Sequence, residues 1–219
     1  GLYKTPPYCA VKVPVFSFEK LTDANSYLSP EMKSTGEVLG IGKDMAEALF
    51  KGLVSSGIRL PHPGEETGVL LSVDEYDYFE VLALARKFSD LGCRLYATSG
   101  TAAAISTLGI PVQTVEDIHE MSATAALLES GAIHYIVYTG ALLDSTLDDY
   151  IALHRKALLL NIACLTSLDT ANALADIIAS RYNQMNTELV DINHMRRERG
   201  RLRFAKMQSA GNDYIVVDN

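Results

Sequence analysis

Between residues 69 and 183, short apolar runs alternate with longer amphipathic stretches. Val69-Leu-Leu-Ser-Val73 reads as a buried strand. Residues 79–91 follow as a helix with Val81, Leu84, Ala85 and Phe88 on one face. Cys93, Leu95 and Ala97 supply the apolar positions of a second strand, which runs into a Thr98-Ser-Gly-Thr101 turn and a short helix. Residues 111–115 make a short strand, and Ser122 can cap a helix that stops at Gly131. Residues 133–138 form the next strand, and 147–160 a helix with Tyr150, Ile151, His154 and Leu158 on one face. Residues 162–166 and 170–182 close the series as a strand and a helix. Strands alternating with helices imply a parallel sheet covered on both faces. Right-handed crossovers leave the strand C-termini along one edge, where ligands bind.

The flanks break this rhythm. Residues 8–16 have strand composition, interrupted by Pro14. Residues 29–36 read as a polar loop, and 43–54 as a helix with Asp44 in its first turn, where a carboxylate suits the dipole. Gly57, Pro61, Pro63, Gly64 and Gly68 mark residues 55–68 as a linker. At the other end, residues 202–218 alternate apolar and polar positions around Gly211-Asn-Asp213, the pattern of a β-hairpin. The run Met195-Arg-Arg-Glu-Arg-Gly-Arg-Leu-Arg203 is basic and suits a solvated linker or a nucleic-acid arm.

Composition narrows the classes. With 219 residues and 48% hydrophobic content the chain can bury a sizeable core. A formal net charge of −8 argues against general nucleic-acid or membrane-surface binding and suits a soluble cytoplasmic protein. Runs such as residues 81–85 are too short to cross a bilayer. Cys9, Cys93 and Cys164 are far apart in sequence, and Cys93 and Cys164 lie in apolar runs as reduced core thiols. His62 falls in the linker, and His134, His154 and His194 have no partners at metal-ligand spacing. No cofactor is implied.

The Thr98-Ser-Gly-Thr101 turn carries the candidate chemistry. Gly100 lets the backbone turn, and Ser99 or Thr101 can cap the helix that begins there. Hydroxyls and free N–H groups then meet at a helix N-terminus, which attracts anions and phosphate above all. The same residues also suit an ordinary strand-to-helix turn.

Three stretches resemble known families. Val11-Lys-Val-Pro-Val-Phe-Ser-Phe-Glu-Lys-Leu21 and Ser29-Pro-Glu-Met-Lys-Ser-Thr-Gly-Glu-Val-Leu-Gly40 resemble the end of the second ATP-grasp unit of the carbamoyl-phosphate synthase large subunit. The nucleotide-binding lobes of that unit are not in the sequence, so synthase activity is not implied. A strand taken from its sheet needs a new partner, and the open strand edges of both terminal segments invite pairing between copies. Val69-Leu-Leu-Ser-Val73, Leu91-Gly-Cys-Arg-Leu-Tyr-Ala-Thr-Ser-Gly-Thr101, Gly109-Ile110 and Leu153-His-Arg-Lys-Ala-Leu158 are similar to the methylglyoxal-synthase-like domain that ends the same subunit.

That second resemblance implies an α/β fold: a three-layer α/β/α sandwich with a five-stranded parallel sheet, flanked by N- and C-terminal extensions that are not domains. It also implies an allosteric, non-catalytic domain that binds a phosphate or nucleotide-like small anion and helps form homo-oligomers, with no nucleic-acid or membrane partner. The site would comprise Thr98, Ser99, Gly100, Thr101, Thr139, Gly140 and Arg155. Tyr78 and Asp117 stand where the family places phosphate-binding lysines, and a carboxylate there repels a phosphate. His119-Glu120 holds the place of the family's His-Glu pair. A methylglyoxal-synthase-like enzyme acting on a phosphorylated metabolite is the alternative; it needs a Gly-Gly-Asp loop, and Glu120-Met-Ser-Ala-Thr-Ala125 holds that place. Asp144, Asp148 and Asp149 also suit a helix first turn.

The third resemblance is C-terminal. Phe204, Lys206-Met207, Gly211-Asn-Asp213 and Ile215-Val-Val217 resemble the first hairpin of diaminopimelate epimerase, an isomerase of lysine biosynthesis. It implies a substrate contact at Asn212. The two catalytic cysteines of that family lie far downstream of its first hairpin, so Cys9, Cys93 and Cys164 are not candidates. The organisation read from the sequence is thus an ATP-grasp tail and linker over 1–64, a methylglyoxal-synthase-like domain over 65–184, and a linker with an epimerase hairpin over 185–219. Met195 can mark the relic of a separate epimerase start.

Overall fold

Val69, Leu70 and Leu71 are wholly withdrawn from solvent, in the middle of a five-stranded parallel sheet. The computed structural model describes residues 8–15, 36–62, 64–115, 121–139, 147–180, 182, 183, 185–191, 203–209 and 212–218. For 14, 15, 121–123, 147–150, 203–209 and 212–218 it describes the backbone alone. In chain order the elements are β1 (Cys9–Val15), β2 (Gly36–Gly42), α1 (Met45–Ser55), β3 (Gly68–Ser72), α2 (Tyr78–Asp90), β4 (Arg94–Thr98), α3 (Ser99–Ser106), β5 (Val112–Val115), α4 (Met121–Glu129), β6 (Tyr135–Tyr138), α5 (Leu147–Leu159), β7 (Ala163–Leu165), α6 (Leu168–Ser180), β8 (Arg203–Ser209) and β9 (Asn212–Asp218). They fall into two units, one with β1, β2, α1, β8 and β9, the other with the elements from β3 to α6.

The larger unit is the α/β sandwich. Its sheet runs β5-β4-β3-β6-β7 with every neighbouring pair parallel. Leu70, Tyr96 and Ile136 lie side by side in register and cluster with Leu128 of α4 and with Leu153 and Ala157 of α5. Val69, Leu71, Leu95 and Ala97 alternate to the opposite face. α2 packs against β4, and α3 against β4 and β5. Val81, Leu84, Ala85 and Phe88 of α2 are fully buried, as the periodicity predicts. Lys87 reaches Asp176 at 2.8 Å and links α2 to α6, although an exposed pair of this kind contributes little stability. On α5 the buried centre is Leu153 and Ala157 rather than the expected line through Ile151, His154 and Leu158, which are only partly buried. Tyr150 has no described side chain. Ser122 lies inside α4 instead of capping it.

Helix ends set the strand starts. After α2, Gly92 takes φ +80, and the N–H of Cys93 returns to the Phe88 carbonyl at 2.9 Å. After α5, Asn161 takes φ 57, and Ile162 returns to Ala157 at 2.8 Å. Both are left-handed caps that satisfy the last helical carbonyls and turn the chain back into the sheet.

The smaller unit is an antiparallel sheet in the order β2-β1-β9-β8. β1 and β2 pair from Cys9↔Gly42 to Val15↔Gly36. β8 and β9 pair from Arg203↔Asp218 to Ser209↔Asn212. The hairpin is therefore present, with Asn212 and Asp213 in the strand rather than in its turn; Gly211 lies outside the described residues. β1 meets β9 at Ala10↔Val217, away from Pro14, which has no N–H to give. The N-terminal strand, which needs a new partner, has one on each side: β1 lies between β2 and β9. Strand β2 is not foreseen by the sequence pattern. Its glycines explain its place, since a Cβ on Gly40 would stand 2.0 Å from the Ala48 carbonyl oxygen, and one on Gly42 2.6 Å from the Ala48 nitrogen. α1 thus rests directly on the strand backbone.

Asp44 is the N-cap of α1, and its Oδ1 accepts the Glu47 N–H at 2.8 Å. The Glu47 side chain is fully enclosed. Its Oε2 accepts the Lys43 N–H at 2.8 Å, and its Oε1 meets the Lys51 ammonium at 3.0 Å. Burial acts to raise the Glu47 pKa, but the N–H donors of Lys43 and Glu188 and the Lys51 charge outweigh it and hold the carboxyl below its ordinary 4.5. A depressed folded-state pKa stabilises the fold above that ordinary value, and the stabilisation is lost as pH falls through the lower, folded value. Glu47→Gln should therefore cost about 1–3 kcal/mol near neutral pH and little at strongly acid pH. Urea unfolding along a pH series checks this, and a cost independent of pH would contradict it.

Candidate anion site

The sheet reverses its chain order beside β3: connections run from β3 outward through β4 to β5, and from β6 outward to β7. Strand ends at such a switch point open a crevice. Ser72, Thr98 and Thr139 end or follow the three strands that meet there. Thr98 sits at the N-cap position of α3 in extended conformation, but its hydroxyl makes no cap bond. It donates instead to Ser72 Oγ at 3.2 Å. Thr101 Oγ1 accepts the Val73 N–H at 3.1 Å. Thr98 is 8% exposed and Thr101 1%. Their hydroxyls are therefore spent on the end of β3 and do not face solvent, contrary to the expectation that they would meet an anion.

What the turn offers to solvent is Ser99 and Gly100, both exposed, at a helix start without a side-chain cap. Tyr78 closes over this turn: a Cβ on Gly100 would stand 2.1 Å from its hydroxyl oxygen. The Tyr78 hydroxyl therefore faces the turn. On the far side of β3, Thr139 donates its N–H to the Ser72 carbonyl at 3.2 Å and accepts the Asp74 N–H on Oγ1 at 3.0 Å. The Asp74 carboxylate accepts the Tyr76 N–H at 3.1 Å and sets a negative charge at the rim of the crevice. Arg155 is exposed on α5. Gly140, Asp117, His119, Asp144 and His194 lie outside the described residues, as do the side chains of Asp148, Asp149 and Asn212. The ties from Thr101 and Thr139 to β3 were missed by sequence reasoning. Neither is signalled locally, because each joins segments distant in the chain.

The remaining titratable groups are structural. His134 Nδ1 accepts the Gly68 N–H at 3.1 Å, which fixes the proton of the neutral ring on Nε2. Burial pushes the pKa of His154 down, that of the Cys93 thiol up to about 11 and that of Cys164 up to about 12. Neither thiol is a nucleophile near neutral pH. Among the described residues no three His, Cys, Asp or Glu side chains group to hold a metal, and no helix is long and apolar enough to cross a membrane.

Residues 80–166 match the family described as MGS-like domain. A carbamoyl phosphate synthase large chain from Lachnoclostridium phytofermentans is 42% identical over 177 residues, covering 80% of this chain and 16% of its own length. One from Clostridium botulinum is 38% identical over 178 residues, covering 81% and 16%. The chain thus spans about a sixth of the length of the curated relatives it matches. A solved structure of methylglyoxal synthase from Elizabethkingia anophelis aligns with 57% of this chain and 87% of its own, at 16% identity and a TM-score of 0.41.

The inward hydroxyls give a stability contrast. Thr101→Val leaves the Val73 N–H buried without an acceptor and should cost about 1–3 kcal/mol. Ser99→Ala, one turn edge away but exposed, should change stability by less than about 0.5 kcal/mol. Urea unfolding of the two variants distinguishes them, and equal costs would contradict the placement of the Thr101 hydroxyl.

Proposed function

We propose that this chain is a non-catalytic regulatory and assembly module of carbamoyl-phosphate-synthase type. The observation that carries the reading is the exposed, uncapped start of α3 at Ser99 and Gly100, beside the switch point of a parallel sheet. The similarity to the large chains supports it. The ligand is a phosphate or nucleotide-like small anion, taken by N–H groups of the α3 turn, with Arg155 and the Thr139-Gly140 segment as further contacts. Thr98 and Thr101 act by holding the turn, and Tyr78 narrows it. Binding is weak, because the opposing charge of Asp74 acts at the same rim and the donors are neutral. No cofactor takes part.

The module associates with copies of itself, and edge strand β2, with Leu39 59% exposed, is a surface suited to that. The C-terminal hairpin is read as the opening of a diaminopimelate epimerase polypeptide, in which Asn212 meets substrate. Its antiparallel pairing and the Gly-Asn-Asp motif support that reading. The module works in the cytoplasm.

Calorimetric titration with inorganic phosphate, nucleotides and diaminopimelate tests these assignments. Phosphate should bind with a dissociation constant on the order of 1 mM, and Ser99→Asp should abolish the heat through like-charge repulsion. Heat that survives Ser99→Asp would place the site elsewhere. No heat with any anion would remove the regulatory reading.

A further inference from the structure

The start of α2 carries two exposed aromatic rings. Glu75–Asp77 is a single 3-10 turn that runs straight into α2, and the Asp74 carboxylate caps it by accepting the Tyr76 N–H at 3.1 Å. Tyr78 turns inward over Gly100. Tyr76 and Phe79, three apart and so on one face, turn outward and are 89% and 87% exposed. Among the described residues no other aromatic side chain is exposed. A single exposed apolar residue is ordinary, but two neighbouring rings that the core does not use form a patch. Glu75 and Glu80 are exposed around them, and Asp74 and Asp77 are half-buried in the same short stretch. No lysine or arginine stands between Arg59 and Arg86 in the sequence.

Ring faces edged by carboxylates attract guanidinium groups, which stack on the rings and bond the carboxylates as a fork. The same negative charges repel nucleic acid and anionic lipid. The chain itself holds a matching ligand. Arg196, Arg197, Arg199, Arg201 and Arg203 fall within one short run, with Glu198 the one opposing charge. Of this run only the backbone of Arg203 is among the described residues. We propose that the face bearing Glu75, Tyr76, Phe79 and Glu80 is a docking surface for the arginine run, residues 196–203, of a second copy of this chain. The proposal rests on the self-association read above and gives it a surface and a charge pattern. Each copy carries both halves, so two copies that exchange their runs close a dimer. Charge and ring contact hold the pair, which makes it sensitive to salt.

Light scattering of the full chain over a concentration series tests this. Raising the salt from about 0.05 to about 0.5 M should weaken the dimer at least about tenfold. Tyr76→Ser with Phe79→Ser should weaken it about tenfold, and Glu75→Lys with Glu80→Lys at least as much. Adding Arg199→Glu and Arg201→Glu to the second pair should restore association, because the charges are then exchanged across the contact. A synthetic peptide of residues 195–203 should dissociate the dimer and shift the Tyr76 and Phe79 amides. Association unmoved by both pairs of substitutions and by the peptide would overturn the proposal and leave self-association to another surface, such as β2. A chain that stays monomeric at every concentration would overturn both the proposal and the assembly reading. Peptide-induced shifts at Tyr76 and Phe79 in that monomer would assign the patch to a different arginine-rich partner.

Discussion

The hydroxyl of Thr101 accepts the N–H of Val73, and the layout of the crevice depends on that bond. β3 is the central strand, fully buried along Val69 to Leu71, and it cannot extend past Ser72 without leaving an N–H unpaired in a dry environment. Thr101 supplies the acceptor from the first turn of α3, and Thr139 supplies another for Asp74 from the end of β6. Two hydroxyls thus close the end of the central strand from both sides. The consequence for chemistry is that Ser99 and Gly100 are pressed outward while their threonine neighbours are drawn in. The anion reading rests on backbone groups for this reason, and the hydroxyls are structural.

The two units are stabilised differently. In the sandwich, register brings Leu70, Tyr96 and Ile136 together under α4 and α5, and burial of apolar surface is the main driving force. In the smaller unit α1 approaches β2 over Gly40 and Gly42 at distances that no side chain permits. There the distinctive feature is a buried carboxylate, Glu47, satisfied by two N–H groups and one ammonium. A buried charge fully paired in this way specifies one arrangement, because any slip leaves it unpaired.

Much of the sandwich was legible in the sequence because its signals are local. The face of α2 repeats at helical spacing, and Val81, Leu84, Ala85 and Phe88 are all at zero exposure. The left-handed residues that end α2 and α4, Gly92 and Gly131, stand where a helix stop is read. β2 was not legible: three glycines in seven residues lower strand propensity, and two of them, Gly40 and Gly42, are there for the helix above, which the strand pattern does not encode. The α5 face was misjudged because partly apolar residues surround Leu153 and Ala157 on both sides. The seam Ala10↔Val217 joins the two ends of the chain, and pairing across that separation leaves no mark in either segment. The Thr98-Ser-Gly-Thr101 turn was located correctly, but a threonine in a turn can face in or out. Only the position of Val73 and Ser72 decides which.

The most direct test is an amide-resolved titration of the ¹⁵N-labelled chain with inorganic phosphate, followed by chemical shift. If the start of α3 is the anion site, the Ser99 and Gly100 amides should move first and saturably, while Val73 and Thr101, bonded to one another, keep their protection. Shifts centred elsewhere, or none at tens of millimolar phosphate, would contradict it.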